Sequence, residues 1–193
     1  MQPQPIESKS GSYIRDQEKQ RLLDFSQFLS KTRTLKIGNG LGHLSESIRP
    51  MTQELTILDI QTYPKTINSN RVQIYSGYPI PYPDKTFDTT IIVFTLHHIP
   101  KNRQYFKEIL RVTKRRVIIF EETYDNVFQK IHLFMRDWWV NRDAGQSTNL
   151  YWNSYFSRKE IRELIKRTGL KEVFTFTKPH KSYFKELFVL DIN

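Results

Sequence analysis

Three glycines at alternate positions, Gly38, Gly40 and Gly42, follow the short run Leu35-Lys36-Ile37 and lead into a helical pattern over residues 41–48. Glycine accepts positive φ and puts no Cβ in a ligand's way, and a helix starting there offers backbone N–H groups without partners. The segment therefore reads as a ligand-binding turn, although the same glycines would also serve a bare strand-to-helix bend. Asp59 stands 21 positions beyond Gly38 (59 − 38 = 21), at the end of the next apolar segment. A carboxylate leaving the end of a second strand can accept hydrogen bonds from both hydroxyls of a ribose, or it can be a plain surface residue. The glycine spacing is GxGxG followed by His43 rather than GxGxxG, which weighs against a nicotinamide dinucleotide. His97 and His98 close a strongly apolar run, and either is a candidate to act as a base, to orient an acceptor, or simply to cap a helix. His43, His132 and His180 are scattered without an HExxH pattern, so no metal site is expected.

The elements that must position these groups alternate along the chain. Residues 1–12 are rich in Gln, Pro, Ser and Gly and read as a flexible tail. Leu22, Leu23, Phe25, Phe28 and Leu29 then share a helical face. Strand, helix and strand follow over residues 34–37, 41–48 and 55–60, with a short strand at 71–75 and a proline-rich loop at 76–85. Residues 89–96 are β-branched and aromatic almost throughout, as in a strand buried on both faces of a parallel sheet. Pro100 suits the first position of a helix whose buried stripe is Tyr105, Phe106, Ile109 and Leu110. Lys114, Arg115 and Arg116 read as a turn before a strand at 117–120. Val127, Phe128, Ile131, Phe134, Met135, Trp138 and Trp139 form a broad helical stripe. It reads as a helix covering the core, an acceptor lid, or a membrane-surface helix. Ser157 and Glu160 have capping-box spacing and Gly169 fits the helix stop. Residues 173–177 and 183–192, separated by Lys178, Pro179 and His180, suggest a closing antiparallel pair. The alternation argues for one α/β domain with an open, mainly parallel sheet covered on both faces.

Composition bounds the function. With 193 residues, one domain is the default. The absence of cysteine excludes disulfides, thiol nucleophiles and thiolate metal sites. No run approaches the roughly 20 apolar residues of a membrane span, and the N-terminus lacks a signal-type apolar core, so a cytoplasmic protein is expected. The formal charge of +10 raises attraction to nucleic acid, anionic lipid or acidic substrates, or forms a solvated basic surface.

Several segments in order resemble the class I S-adenosylmethionine-dependent methyltransferases, in particular the type 11 subgroup. The glycine turn is similar to that family's first motif and Asp59 to its acidic second motif. Pro81-Tyr82-Pro83-Asp84-Lys85-Thr86-Phe87-Asp88 resembles the loop before strand four, and Leu96-His97-His98-Ile99-Pro100 the signature after it. Glu108-Ile109-Leu110-Arg111-Val112 resembles the helix before strand five, and residues 156–170 the penultimate helix. The resemblance covers about residues 33–190. It implies a Rossmann-like, seven-stranded, mainly parallel sheet with helices on both faces and the last strand antiparallel, spanning residues 13–193 with a helical acceptor-lid insertion at about 124–156. It further implies S-adenosylmethionine as methyl donor, with Gly38, Asn39, Gly40, Gly42, Asp59, Ile60, Ser76, Gly77, Tyr78 and Thr95 around it and His97 or His98 beside the reacting centre.

The acceptor is expected to be small or lipid-like, in a pocket lined by Trp138, Trp139, Tyr151, Trp152 and Tyr155. A non-catalytic binding protein or an RNA methyltransferase are the alternatives. Two positions depart from the family pattern. Lys36 stands where an acidic residue usually meets the donor's amino group, and Ser76 where an aspartate usually meets the adenine. Two like charges about 4 Å apart repel by roughly 4 kcal/mol at an effective dielectric near 20, a cost that the donor's own carboxylate would offset.

Overall fold

The computed structural model describes residues 26–29, 32–146, 149–180 and 182–192. The tail at 1–12 and the helical pattern up to Phe25 lie outside the described residues. Strands β1 (Arg33–Ile37), β2 (Glu54–Asp59), β3 (Val72–Ile74), β4 (Phe87–Val93), β5 (Thr113–Tyr124), β7 (Lys171–His180) and β8 (Tyr183–Asp191) form one sheet in the order β3-β2-β1-β4-β5-β8-β7. The two-residue β6 (Phe156–Ser157) pairs with the end of β5 off this path. Pairing is parallel except along β8, which is antiparallel to both neighbours. The seven-stranded sheet with an antiparallel final strand is therefore present, with β6 as an addition.

Helices α1 (His43–Ile48), α2 (Asn102–Val112), α3 (Val127–Asp143) and α4 (Arg158–Thr168) connect the strands. Successive side chains of a strand point to opposite faces, so the paired apolar residues of β4 and β5 feed two cores. Ile92 and Ile119 face Tyr105, Phe106 and Ile109 of α2 and Ile161 and Ile165 of α4. Ile91, Ile118 and Phe120 face Leu44 and Ile48 of α1, with Phe28 and Leu29 packed alongside. That double burial explains why these strands read as continuous apolar runs. The Ser157–Glu160 capping box starts α4 and Gly169, at φ 69°, ends it.

Three local expectations are corrected. Pro100 does not open a helix: residues 96–98 form a tight 3₁₀ turn and α2 starts at Asn102. The Asn102 amide explains the delay, because it donates to the carbonyls of Leu96 (3.3 Å) and Ser154 (2.7 Å) and so pins the link. Lys114, Arg115 and Arg116 are not a turn but the start of β5, where Arg116 grips Asp191 of β8 with two bonds of 2.7 and 2.9 Å. Lys178, Pro179 and His180 do not separate the closing strands but extend β7. A proline is tolerated there because β7 is an edge strand, with one side free of ladder bonds.

Candidate functional site

The C-terminal ends of β1, β2 and β4 open onto a cavity of about 620 Å³. Gly38, Gly40 and Gly42 all have left-handed backbone, at φ 77°, 56° and 90°. Their bareness serves the fold at least as directly as a ligand. A Cβ on Gly38 would lie 2.2 Å from Thr95 Oγ1, and one on Gly42 would lie 3.0 Å from the Ile67 carbonyl. Gly42 is absent from the cavity lining, whereas Gly38, Asn39 and Gly40 belong to it. The helix that follows Gly42 has only six residues, less than the sequence pattern suggested.

Asp59 faces the glycine turn. Its Oδ2 accepts from the backbone N–H of Asn39 (2.6 Å) and, at greater length, of Gly40 (3.4 Å), while Oδ1 accepts from Ile60 (2.7 Å). A carboxylate has about four lone-pair sites, so acceptor capacity remains toward the cavity. Beside it, Ile60, Ser76, Gly77 and Tyr78 complete this end. The Ser76 hydroxyl donates to the Tyr78 carbonyl at 3.2 Å and keeps its lone pairs. Lys36 is buried in β1, lines the cavity and donates to the Gly38 carbonyl.

At the other end His97 and His98 lie side by side, ring centres 4.2 Å apart. They have opposite electrostatics. Burial alone would lower the pKa of His97, but Glu121, bonded to Nδ1 at 2.7 Å, with Asp137 and Glu122 nearby, raises it to about 9. Its Nε2 lies 3.4 Å from Asp137. His97 is therefore an imidazolium with both nitrogens engaged and cannot act as a base at neutral pH. Burial and then the charge of His97 push His98 down to about 3. His98 is thus neutral, and its Nδ1 has no hydrogen-bond partner among the described residues.

Around this pair runs a network that the sequence did not disclose. Arg136 holds Glu122 and Asp137, and Tyr155 donates to Asp137 at 2.8 Å. For Asp137, burial is outweighed by the charges of Arg136 and His97, which hold its pKa below the usual carboxylate range. Glu122, Arg136, Asp137, Asn141 and Gln146 all line the cavity. Two adjacent glutamates ending an apolar strand were the available signal. The aromatic acceptor pocket is corrected: of its five candidates only Tyr151 lines this cavity. Tyr155 is buried against His97, while Trp138 and Trp139 face solvent.

A family model described as a methyltransferase domain matches residues 12–173. No curated protein matches the sequence significantly. Among solved structures, the chain is similar to a SAM-dependent methyltransferase from Methanosarcina mazei, with a TM-score of 0.65 at 16% identity, covering 87% of this chain and 96% of that one. It is also similar to the magnesium protoporphyrin IX methyltransferase of Synechocystis PCC 6803 with bound SAM, with a TM-score of 0.64 at 13% identity, over 100% of this chain and 87% of that one. A SAM-dependent methyltransferase from Aquifex aeolicus gives a TM-score of 0.59 at 15% identity over 90% and 89% of the two chains. At such identities these likenesses speak to the fold alone.

Proposed function

The chain belongs to the methyltransferase domain family, and from that premise we propose that it moves the methyl group of S-adenosylmethionine to a small or lipid-like acceptor. The observation that carries this reading is the one cavity lined at one end by Asp59 and the glycine turn and at the other by His98. Its volume of about 620 Å³ falls inside the range of about 300–1,000 Å³ usual for small-molecule sites.

The donor supplies a methyl group on a sulfonium, and displacement at such a carbon needs in-line alignment above all. The donor set present suits that ligand. Asp59 has acceptor capacity left for the ribose hydroxyls and Ser76 for the adenine amino group, with Gly77, Tyr78 and Ile60 against the base. Lys36, bonded to Gly38, offers its ammonium to the donor's carboxylate. His98, neutral and lining the cavity, is the side chain placed to orient an acceptor there. His97 is a positioning residue: its ring is fixed by Glu121 and Asp137, and its charge adds to burial in keeping His98 unprotonated.

Calorimetry of the full chain with S-adenosylmethionine and S-adenosylhomocysteine tests the reading. Binding of both supports it, and no heat at millimolar ligand rejects it. A second reading, a non-catalytic relative with a decayed donor site, is favoured by the buried Lys36 at the turn. Lys36→Asp separates the two: tighter donor binding by the variant supports decay, and weaker binding supports the carboxylate role. RNA methylation rests on the +10 charge alone and requires steeply salt-dependent RNA binding.

A further inference from the structure

An ordinary surface helix buries an apolar stripe and shows a polar one. Helix α3 departs from this. Among its residues only Leu133 and Asp137 are buried, and its cavity side carries the charged and polar Arg136, Asp137 and Asn141. Its outward side carries Phe128, Ile131, Met135, Trp138 and Trp139, spaced three, four, three and one apart along the helix. Phe128 is 79% exposed, Met135 64% and Trp139 65%. Contiguous apolar exposure of this kind marks a contact surface.

Charge narrows what the surface meets. Among the described residues of α3 the one exposed carboxylate is Asp143, at its last position. Arg142 lies over Trp138 at 5.3 Å on this face, while the half-buried Lys130 packs over Trp152 at 4.6 Å on the protein side. We infer that the outward face of α3 docks on an anionic lipid bilayer, its Trp, Phe and Met side chains entering the headgroup boundary and Arg142 beside them meeting lipid phosphates. Tryptophan suits that depth because its ring is apolar and its N–H polar. A cation beside the aromatic stripe strengthens attachment to anionic lipid, and the whole chain is +10. A second copy fits poorly, because two chains of that charge repel and the helix offers only Asp143, at its last position, to meet the other's cations. The docking stands apart from the methyl-transfer reading. Its consequence does rest on that reading: since the opposite side of α3 walls the cavity, a docked protein holds that cavity next to the lipid, and the acceptor is lipid-borne.

The test is flotation of the full chain with vesicles of phosphatidylcholine alone and of equal parts phosphatidylcholine and phosphatidylglycerol, with tryptophan emission recorded alongside. Binding to the anionic vesicles only, weakened by salt and accompanied by a blue shift, is expected. The exposed double variant Phe128→Glu/Trp139→Glu should keep the wild-type melting temperature and lose at least about tenfold in vesicle affinity. Arg142→Glu should weaken binding severalfold without a change in melting. Failure to bind anionic vesicles, or undiminished binding by the double variant, overturns the proposal. So does light scattering that shows a dimer which the double variant dissolves, or a salt-sensitive preference for RNA that this variant abolishes. Donor binding measured on the same samples reads the methyl-transfer proposal separately.

Discussion

At the Asp59 end of the cavity the contacts run from one carboxylate to three backbone N–H groups, whereas at the His98 end they run between buried side chains drawn from β5, α3 and the turn after β4. The first end is a matter of chain conformation, set by left-handed glycines packed against Thr95 and Ile67. The second is a matter of charge, set by His97 and Arg136 among Glu121, Glu122 and Asp137. A backbone site survives changes to most neighbouring side chains but not to its geometry. A buried ionic cluster tolerates changes of shape but not the loss of one member, which strands the others without water.

The largest predicted effect follows from that contrast. Asp137→Ala leaves His97, Arg136 and Tyr155 facing an uncompensated buried space, and should cost about 3–5 kcal/mol in urea unfolding. Asp59→Ala should cost less, about 1–3 kcal/mol, because water can reach the orphaned N–H groups. The reverse order would break the comparison.

Gly38→Ala comes next. Positive φ for a non-glycine residue costs about 1–3 kcal/mol, and the 2.2 Å approach to Thr95 Oγ1 adds overpacking. A thermal double-mutant cycle with Thr95→Gly should recover the overpacking part and leave the φ part, whereas full additivity would deny the contact.

Smaller still is Asp59→Asn, which should weaken S-adenosylmethionine binding about tenfold by calorimetry with little change in stability. His98→Gln should leave donor affinity unaltered and lower turnover, a division that only two separate ends would produce.

At neutral pH the least effect is the one on pH dependence, which builds only toward the ends of the range. His97 is raised to about 9, so its stabilisation is complete below the unfolded value of 6.5 and fades as pH climbs through 9. His98 is lowered to about 3, so its neutral burial costs nothing above 6.5 and destabilises progressively as pH falls toward 3. Adjacent residues thus give slopes of opposite sign, and melting temperature against pH should flatten on the alkaline side in His97→Gln and on the acid side in His98→Gln.

How much of this was legible differs between the same two ends. Glycine spacing, the Asp59 offset and the two-faced apolar strands were readable because each expresses a local rule. Even there the reason for Gly38 was misplaced, since the group that needs its bareness, Thr95, is 57 residues away (95 − 38 = 57). Glu121 and Asp137 carried no local signal of partnership with His97, and Trp138 and Trp139 looked like pocket residues from their types alone.

The amino-acid sequence by itself determined the α/β architecture, the glycine turn and the carboxylate that faces it, because backbone conformation and side-chain period depend on near neighbours. Only the tertiary structure decided that His97 is a fixed cation and His98 a neutral imidazole, and that the aromatic stripe of α3 faces outward. Burial and charge pairing arise where distant segments meet, and there the dielectric and the partners of each group are set.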